Sequence, residues 1–170
     1  MKNRLIVFLV LLLPFTAMAQ PGEKAKKKFL AELNGILKNS KENDHWNQPG
    51  IMSIDSPFAI NTQGILSVTV RFKDEDGEMV RARMQAPVEK IVDVAYDLFL
   101  ILDYKTDMVI KYESEINNEP LVEKYKTKYL HIGAPLSNGR KQQEKLQGLL
   151  EELLKYYPTE KNRDAEQTLK

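Results

Sequence analysis

Between residues 65 and 86 apolar and polar side chains alternate almost without exception. Leu66, Val68, Val70 and Phe72 interleave with Ser67, Thr69, Arg71 and Lys73, and Val80, Ala82, Met84 and Ala86 repeat the pattern. A period of two is that of a strand with one buried face, so strands are predicted over 65–73 and 79–86. Their apolar faces must match. Phe72 is therefore set opposite Val80, and Glu75-Asp76-Gly77 becomes a three-residue loop with Gly77 at its left-handed position. The same register puts Val70 opposite Ala82 and Val68 opposite Met84 on the inner face. On the outer face it puts Arg71 opposite Arg81 and Thr69 opposite Arg83.

The flanking pattern predicts helix, strands, helix. Phe29, Leu30, Leu33, Ile36 and Leu37 recur at helical spacing within 23–39. Residues 51–61 read as an edge or bent strand, because Pro57 removes a ladder donor. Val92, Val94, Tyr96, Leu98, Leu100, Leu102 and Tyr104 alternate without a miss, so 92–104 is predicted as a strand kinked near Asp97, with Asp93, Asp97 and Asp103 on its outer face. Met108, Ile110 and Tyr112 are expected to continue the inward set. A last strand over 122–132 carries Tyr125, Thr127 and Tyr129 on one face and Lys124, Lys126 and Lys128 on the other. Leu146, Leu149, Leu150, Leu153 and Tyr157 line a terminal helix over 139–157, with Ser137 or Asn138 as N-cap and Pro158 as its stop. Residues 158–170 read as a flexible polar tail.

The first nineteen residues have a different grammar. Lys2 and Arg4 precede an apolar run from Leu5 to Phe15, and Ala17-Met18-Ala19 supplies a small-x-small site. This is the pattern of a secretory signal peptide cleaved before Gln20, and the run is too short to span a bilayer. The expected location is the periplasm or the medium, with 20–157 as one domain. Losing Lys2 and Arg4 lowers the formal charge of +1 by two, to −1. Such a balance argues against nucleic acid as a partner. The chain contains no Cys, so neither disulfides nor a lipid anchor on a cysteine are available, and stability must come from the core.

Sequential strands joined by short turns, with helices at the chain ends, give α+β with an antiparallel sheet. Six or seven strands closed by one amphipathic helix, over about 51–157, resemble the pleckstrin-homology-like architecture. That resemblance implies a curved sheet or partly open barrel plugged by the last helix, and a binding role. The helix at the start of the mature chain departs from the pattern. With its leader, the chain is also similar to small exported bacterial proteins.

Candidate chemistry follows from the register. Arg71, Arg81 and Arg83 share one outer face with Lys73, and like charges directly opposite are unfavourable in a sheet. Neutralisation by Asp93, Asp97 and Asp103 on the next strand is the ordinary explanation. A small anionic ligand is the other, since guanidinium groups match carboxylate and phosphate. Phe99 and Ile101 also face outward on this reading and need a cover. The first helix is one candidate and a homodimer interface is the other. The acidic residues of 74–78 are explained by the hairpin turn. His45 and His131 stand in no metal-spaced motif, and no nucleophile, zinc or phosphate-loop motif occurs. No cofactor and no metal is expected.

These observations point to an exported, non-catalytic binding module that contacts a protein or a small anion through Arg71, Arg81 and Arg83. One alternative is a small periplasmic hydrolase using Asp or Glu with His131. Another is a carrier of a lipid or other hydrophobic ligand, with Tyr96, Leu100 and Tyr112 lining a dry cavity.

Overall fold

The computed structural model describes residues 21–41, 51–73, 77–114, 119–133 and 138–157. The expected leader, the stretch holding His45 and Trp46, most of the acidic turn, Ser137 and the polar tail lie outside the described residues. Helices α1 (Pro21–Lys41) and α2 (Gly139–Leu154) bracket eight strands. These are β1 (Ile51–Ile60), β2 (Ile65–Lys73), β3 (Met79–Pro87), β4 (Ile91–Asp97), β5 (Phe99–Tyr104), β6 (Val109–Glu113), β7 (Val122–Thr127) and β8 (Tyr129–Ile132). The architecture is α+β, every pairing is antiparallel, and the strands form two sheets that do not close into a barrel.

The larger sheet runs β1-β2-β3-β6-β7 and the smaller β4-β5-β8. The β2–β3 hairpin takes the register its faces require: Phe72 pairs with Val80, Val70 with Ala82, Arg71 with Arg81 and Thr69 with Arg83. Gly77 has φ +82°, the left-handed geometry that a three-residue loop needs near its end. Pro57 sits in an edge strand whose ladder to β2 is broken by three register shifts, as a missing donor demands.

Two predicted strands are each divided in two. The segment 91–104 reverses at Leu98, whose φ of +61° is left-handed, so β4 and β5 form a hairpin. The turn sets Tyr96 opposite Leu100, so Val94, Leu100, Leu102 and Tyr104 are buried as expected, but Leu98 at the turn is exposed, and a register shift between Ile91 and Asp93 buries Ile91 and leaves Val92 exposed. The segment 122–132 breaks at Lys128: β7 pairs with β6, while β8 pairs with β5 in the other sheet. These divisions account for eight strands where six or seven were expected.

A single buried cluster joins the two sheets to both helices. Phe29, Leu33, Ile36 and Leu37 of α1 and Leu146, Leu150 and Leu153 of α2 meet Leu66 and Val68 of β2, Val94 of β4, Leu100 and Leu102 of β5, and Leu130 and Ile132 of β8. Each fully buried aliphatic side chain is worth roughly 1.5–3 kcal/mol against exposure. The terminal helix ends at Leu154, before Tyr157, and Asn138 is its N-cap without a side-chain hydrogen bond. Lys28 of α1 meets Glu152 of α2 at 3.2 Å, and Lys26 meets Glu23 within α1. Among the described residues no helix is long and apolar enough to cross a membrane.

Each helix also ties down one sheet edge. The Asn34 side-chain amide donates to the carbonyl of Phe58 at 3.0 Å, and its oxygen accepts from the Phe58 N–H at 2.7 Å. On α2, Gln143 donates to the Val94 carbonyl at 2.7 Å and Gln147 accepts from the Val94 N–H at 2.9 Å. Both sites satisfy backbone groups of a buried edge residue that has no strand beyond it.

Candidate functional site

The arginine face exists, but its neutralising carboxylate comes from a different strand. Asp93, Asp97 and Asp103 lie in the smaller sheet, and the neighbour of β3 is β6. Asp55, on irregular β1, reaches over β2 instead. Its Oδ1 accepts from Arg71 Nε at 2.8 Å, and its Oδ2 lies 3.0 Å from Arg81 Nε. The Arg81 contact is a charge contact without an aligned hydrogen bond. The hydrogen bond from Arg71, aided by the charges of both arginines, outweighs partial burial and holds the Asp55 carboxyl below its ordinary range. One carboxylate thus resolves the cross-strand repulsion of Arg71 and Arg81.

Arg83 differs from the other two. It stands between Thr69 on β2 and Tyr112 on β6. Its Nε is buried and makes no hydrogen bond, and among the described residues no carboxylate pairs with it. Its neighbours Gln85 and Tyr112 engage each other at 3.3 Å.

Strand β6 overturns the expected phase. Ile110 is opposite Gln85 and Tyr112 opposite Arg83, so both lie on the outer face; Lys111 is opposite Met84, on the inner one. Met108 precedes the strand and is exposed, and Val109 takes the buried position. The predicted inward set of Met108, Ile110 and Tyr112 is therefore inverted. Tyr96, Leu100 and Tyr112, expected to line one cavity, are not brought together. Leu100 is packed in the core, Tyr112 faces outward, and the Tyr96 ring closes on Gly139 so tightly that a Cβ there would overlap it.

The inversion aims Lys111 into a groove of about 290 Å³. Val70 and Phe72 of β2 and Ala82 and Met84 of β3 form its floor. Its wall is the odd-numbered face of the β7–β8 ribbon: Tyr125, Thr127, Tyr129 and His131. Phe72 and Met84 are half-buried at the margin of the core they pack against.

Lys111 Nζ is 2.6 Å from the Glu113 carboxylate, 5.3 Å from the Tyr125 ring centre and 5.8 Å from that of Phe72. Burial pulls the ammonium down in pKa, but the hydrogen bond and charge of Glu113 more than offset it, and the group stays above the ordinary lysine range. His131 is pushed below the ordinary histidine range, first by burial and then by the Lys111 charge. Its ring meets Phe99 edge-on at 5.8 Å. Among the described residues no carboxylate hydrogen-bonds to His131.

Phe99 and Ile101 do lie on the outer face of the smaller sheet, where Ile101 pairs with His131. Helix α1 does not cover them, because it buries its stripe on the opposite face, against Leu100, Leu102, Leu130 and Ile132. Both stay half-buried beside His131. A larger cleft of about 630 Å³ is lined by the start of α1, Asn61, Thr62, Gly64, Tyr156 and Tyr157. Its polar groups are engaged: Glu23 with Lys26, and Asn61 with the turn amides of Gln63 and Ile65. Among the described residues no group of three or more His, Asp or Glu is placed to hold a metal ion.

No protein-family model, curated protein or solved structure matches this chain.

Proposed function

We propose that the protein is an exported, non-catalytic binding module whose ligand occupies the groove between the β2–β3 hairpin and the β7–β8 ribbon. Export rests on the leader pattern of residues 1–19. Binding rests on one observation above the others: β6 turns Lys111, rather than Ile110 or Tyr112, toward an apolar, aromatic-walled concavity. A fold that needs only a core would put an apolar side chain there, whereas Lys111 is held as an ammonium by Glu113, and departures from the apolar pattern concentrate at functional sites. An apolar concavity with a few convergent polar groups is the usual form of a ligand site. The chemistry selects ligands that combine an apolar body with a polar or anionic group.

The test uses 1-anilinonaphthalene-8-sulfonate, which joins an aromatic body to an anion. The folded protein is expected to bind it at one site and enhance its fluorescence. Met84→Glu, placing a like charge on the floor, is expected to weaken binding at least about tenfold, or ~1.4 kcal/mol. Equal binding by Met84→Glu and the parent protein, both folded by circular dichroism, rejects the groove.

A second reading is favoured by Arg83, whose buried Nε has no hydrogen-bond partner. Here a small anion sits on the outer face, held by Arg83 beside the Asp55-bridged Arg71 and Arg81. Inorganic phosphate is then expected to shift the amide resonances of Arg83 and Thr69 in the parent protein and not in Arg83→Gln. Identical shifts in both proteins reject it.

A further inference from the structure

We propose that the outer edge of β7 accepts an added strand, an extended segment of a partner protein in which apolar and acidic residues alternate. The proposal rests on the groove reading and adds the occupant's class.

The case begins with the sheet edges. Strands β1 and β4 have backbone groups closed off by Asn34, Gln143 and Gln147. Among the described residues only β6 pairs with β7. Its side chains are exposed from Val122 to Lys126, and Val122 and Tyr125 retain 54% and 51% of their surface. Such an edge offers unpaired N–H and C=O groups on either side of the register shift at Lys124.

The two faces of this edge differ in chemistry. Tyr125 and Thr127 border the apolar groove, while Lys126, opposite Ile110, lies on the other face, and Lys124 stands at the register shift of the β6–β7 ladder. An added strand sends alternate side chains to the same two faces. One set would enter the groove over Met84 and Phe72, and the other would stand beside the lysines as opposite-charge cross-strand pairs. Both lysines are engaged within the chain, Lys126 with Glu123 at 3.8 Å and Lys124 as well; exposed pairs of this kind are of small worth, and an incoming carboxylate can replace them. Lysines on an edge also discourage pairing. Here that selects the partner: the like charges that repel a second copy of β7 attract an acidic strand.

The experiment is fluorescence anisotropy with three labelled peptides on the full mature chain: Ile-Asp-Val-Glu-Ile-Asp, the lysine version Ile-Lys-Val-Lys-Ile-Lys, and the non-alternating Ile-Val-Ile-Asp-Glu-Asp. The parent protein is expected to bind the first at least about tenfold more tightly than either of the others. Changing Lys124→Glu and Lys126→Glu together is expected to reverse the preference between the first two peptides, an outcome that misfolding cannot mimic. Equal binding of all three peptides overturns the proposal, as does an unchanged preference in the charge-swapped protein. Sedimentation showing this edge buried against a second copy overturns it too. In each of those cases retained 1-anilinonaphthalene-8-sulfonate binding keeps the groove, whereas its loss rejects both readings.

Discussion

The edges tied to a helix and the edge left bare separate two kinds of work in this fold. At β1, one amide of Asn34 answers both the N–H and the C=O of Phe58. At β4, Gln143 and Gln147, one turn apart on α2, divide the same task at Val94. In both places a helix that must bury an apolar stripe also presents an amide that imitates the missing strand. Both edge residues are buried, so an unanswered backbone group there would cost roughly 1–3 kcal/mol. At β7 the side chains are exposed, and water can serve the same groups. The first two edges are closed because their surroundings are dry, and the third is left to water.

The strongest way to break the comparison is to pry α2 from β4. Gly139 begins the helix against the Tyr96 ring, and a Cβ there would overlap ring atoms of a side chain held within the sheet. Gly139→Ala is expected to destabilise by about 3 kcal/mol, at the upper end of overpacking effects. Urea unfolding should show it as a lower midpoint at unchanged slope. The exposed Gly148→Ala on the same helix, where a Cβ meets nothing within 4 Å, is expected to stabilise by up to about 1 kcal/mol.

Next comes removal of the amides themselves. Asn34→Ala leaves two buried groups of Phe58 unanswered, for an expected loss of about 2 kcal/mol. Asn34→Asp keeps the acceptor and loses the donor, so it is expected to cost less and to preserve slow exchange of the Phe58 amide. Gln147→Ala should accelerate exchange of the Val94 amide, while Gln143→Ala, which removes only a donor to the carbonyl, should leave that amide slow. Equal exchange in both glutamine variants would show that the Val94 N–H is protected by burial alone.

The architecture and the hairpin register were legible because two matched faces and one glycine leave a single solution for 65–86. What stayed hidden shares a cause. Alternation reports which face a residue occupies and is blind to chain direction. The reversal at Leu98 and the sheet change at Lys128 both preserve the face, so neither disturbs the pattern. Leu98 also lacks the turn chemistry of Gly, Asn or Asp that usually marks a left-handed position.

Strand β6 failed differently. Met108, Ile110 and Tyr112 form the more apolar set, yet pairing with β3 and the burial of Val109 turn Lys111 inward. Single-strand periodicity held no sign of this, although Lys111 and Glu113 at a spacing of two could have suggested a same-face ion pair. The arginine face was legible in position and misattributed in partner. Asp55 sits in a strand whose irregular ladder obscures which way its side chains point.

The smallest expected effect tests that partner, on the helix-tied edge strand itself. Asp55→Asn removes the charge shared by Arg71 and Arg81. Because the group is partly solvated, the expected cost at pH 7 is about 1 kcal/mol. The pH dependence fixes the assignment. The Asp55 carboxyl titrates lower in the folded chain than in the unfolded one, so the unfolded state binds its proton first. Its contribution is complete above the unfolded value, about 3.9, and is lost as pH falls through the lower folded value. The stability gap between the parent and Asp55→Asn should therefore be constant from pH 7 to about pH 5 and shrink as the pH falls below the unfolded value. A gap that persists undiminished in acid would mean that Asp55 acts through packing, and that the repulsion between Arg71 and Arg81 is relieved elsewhere.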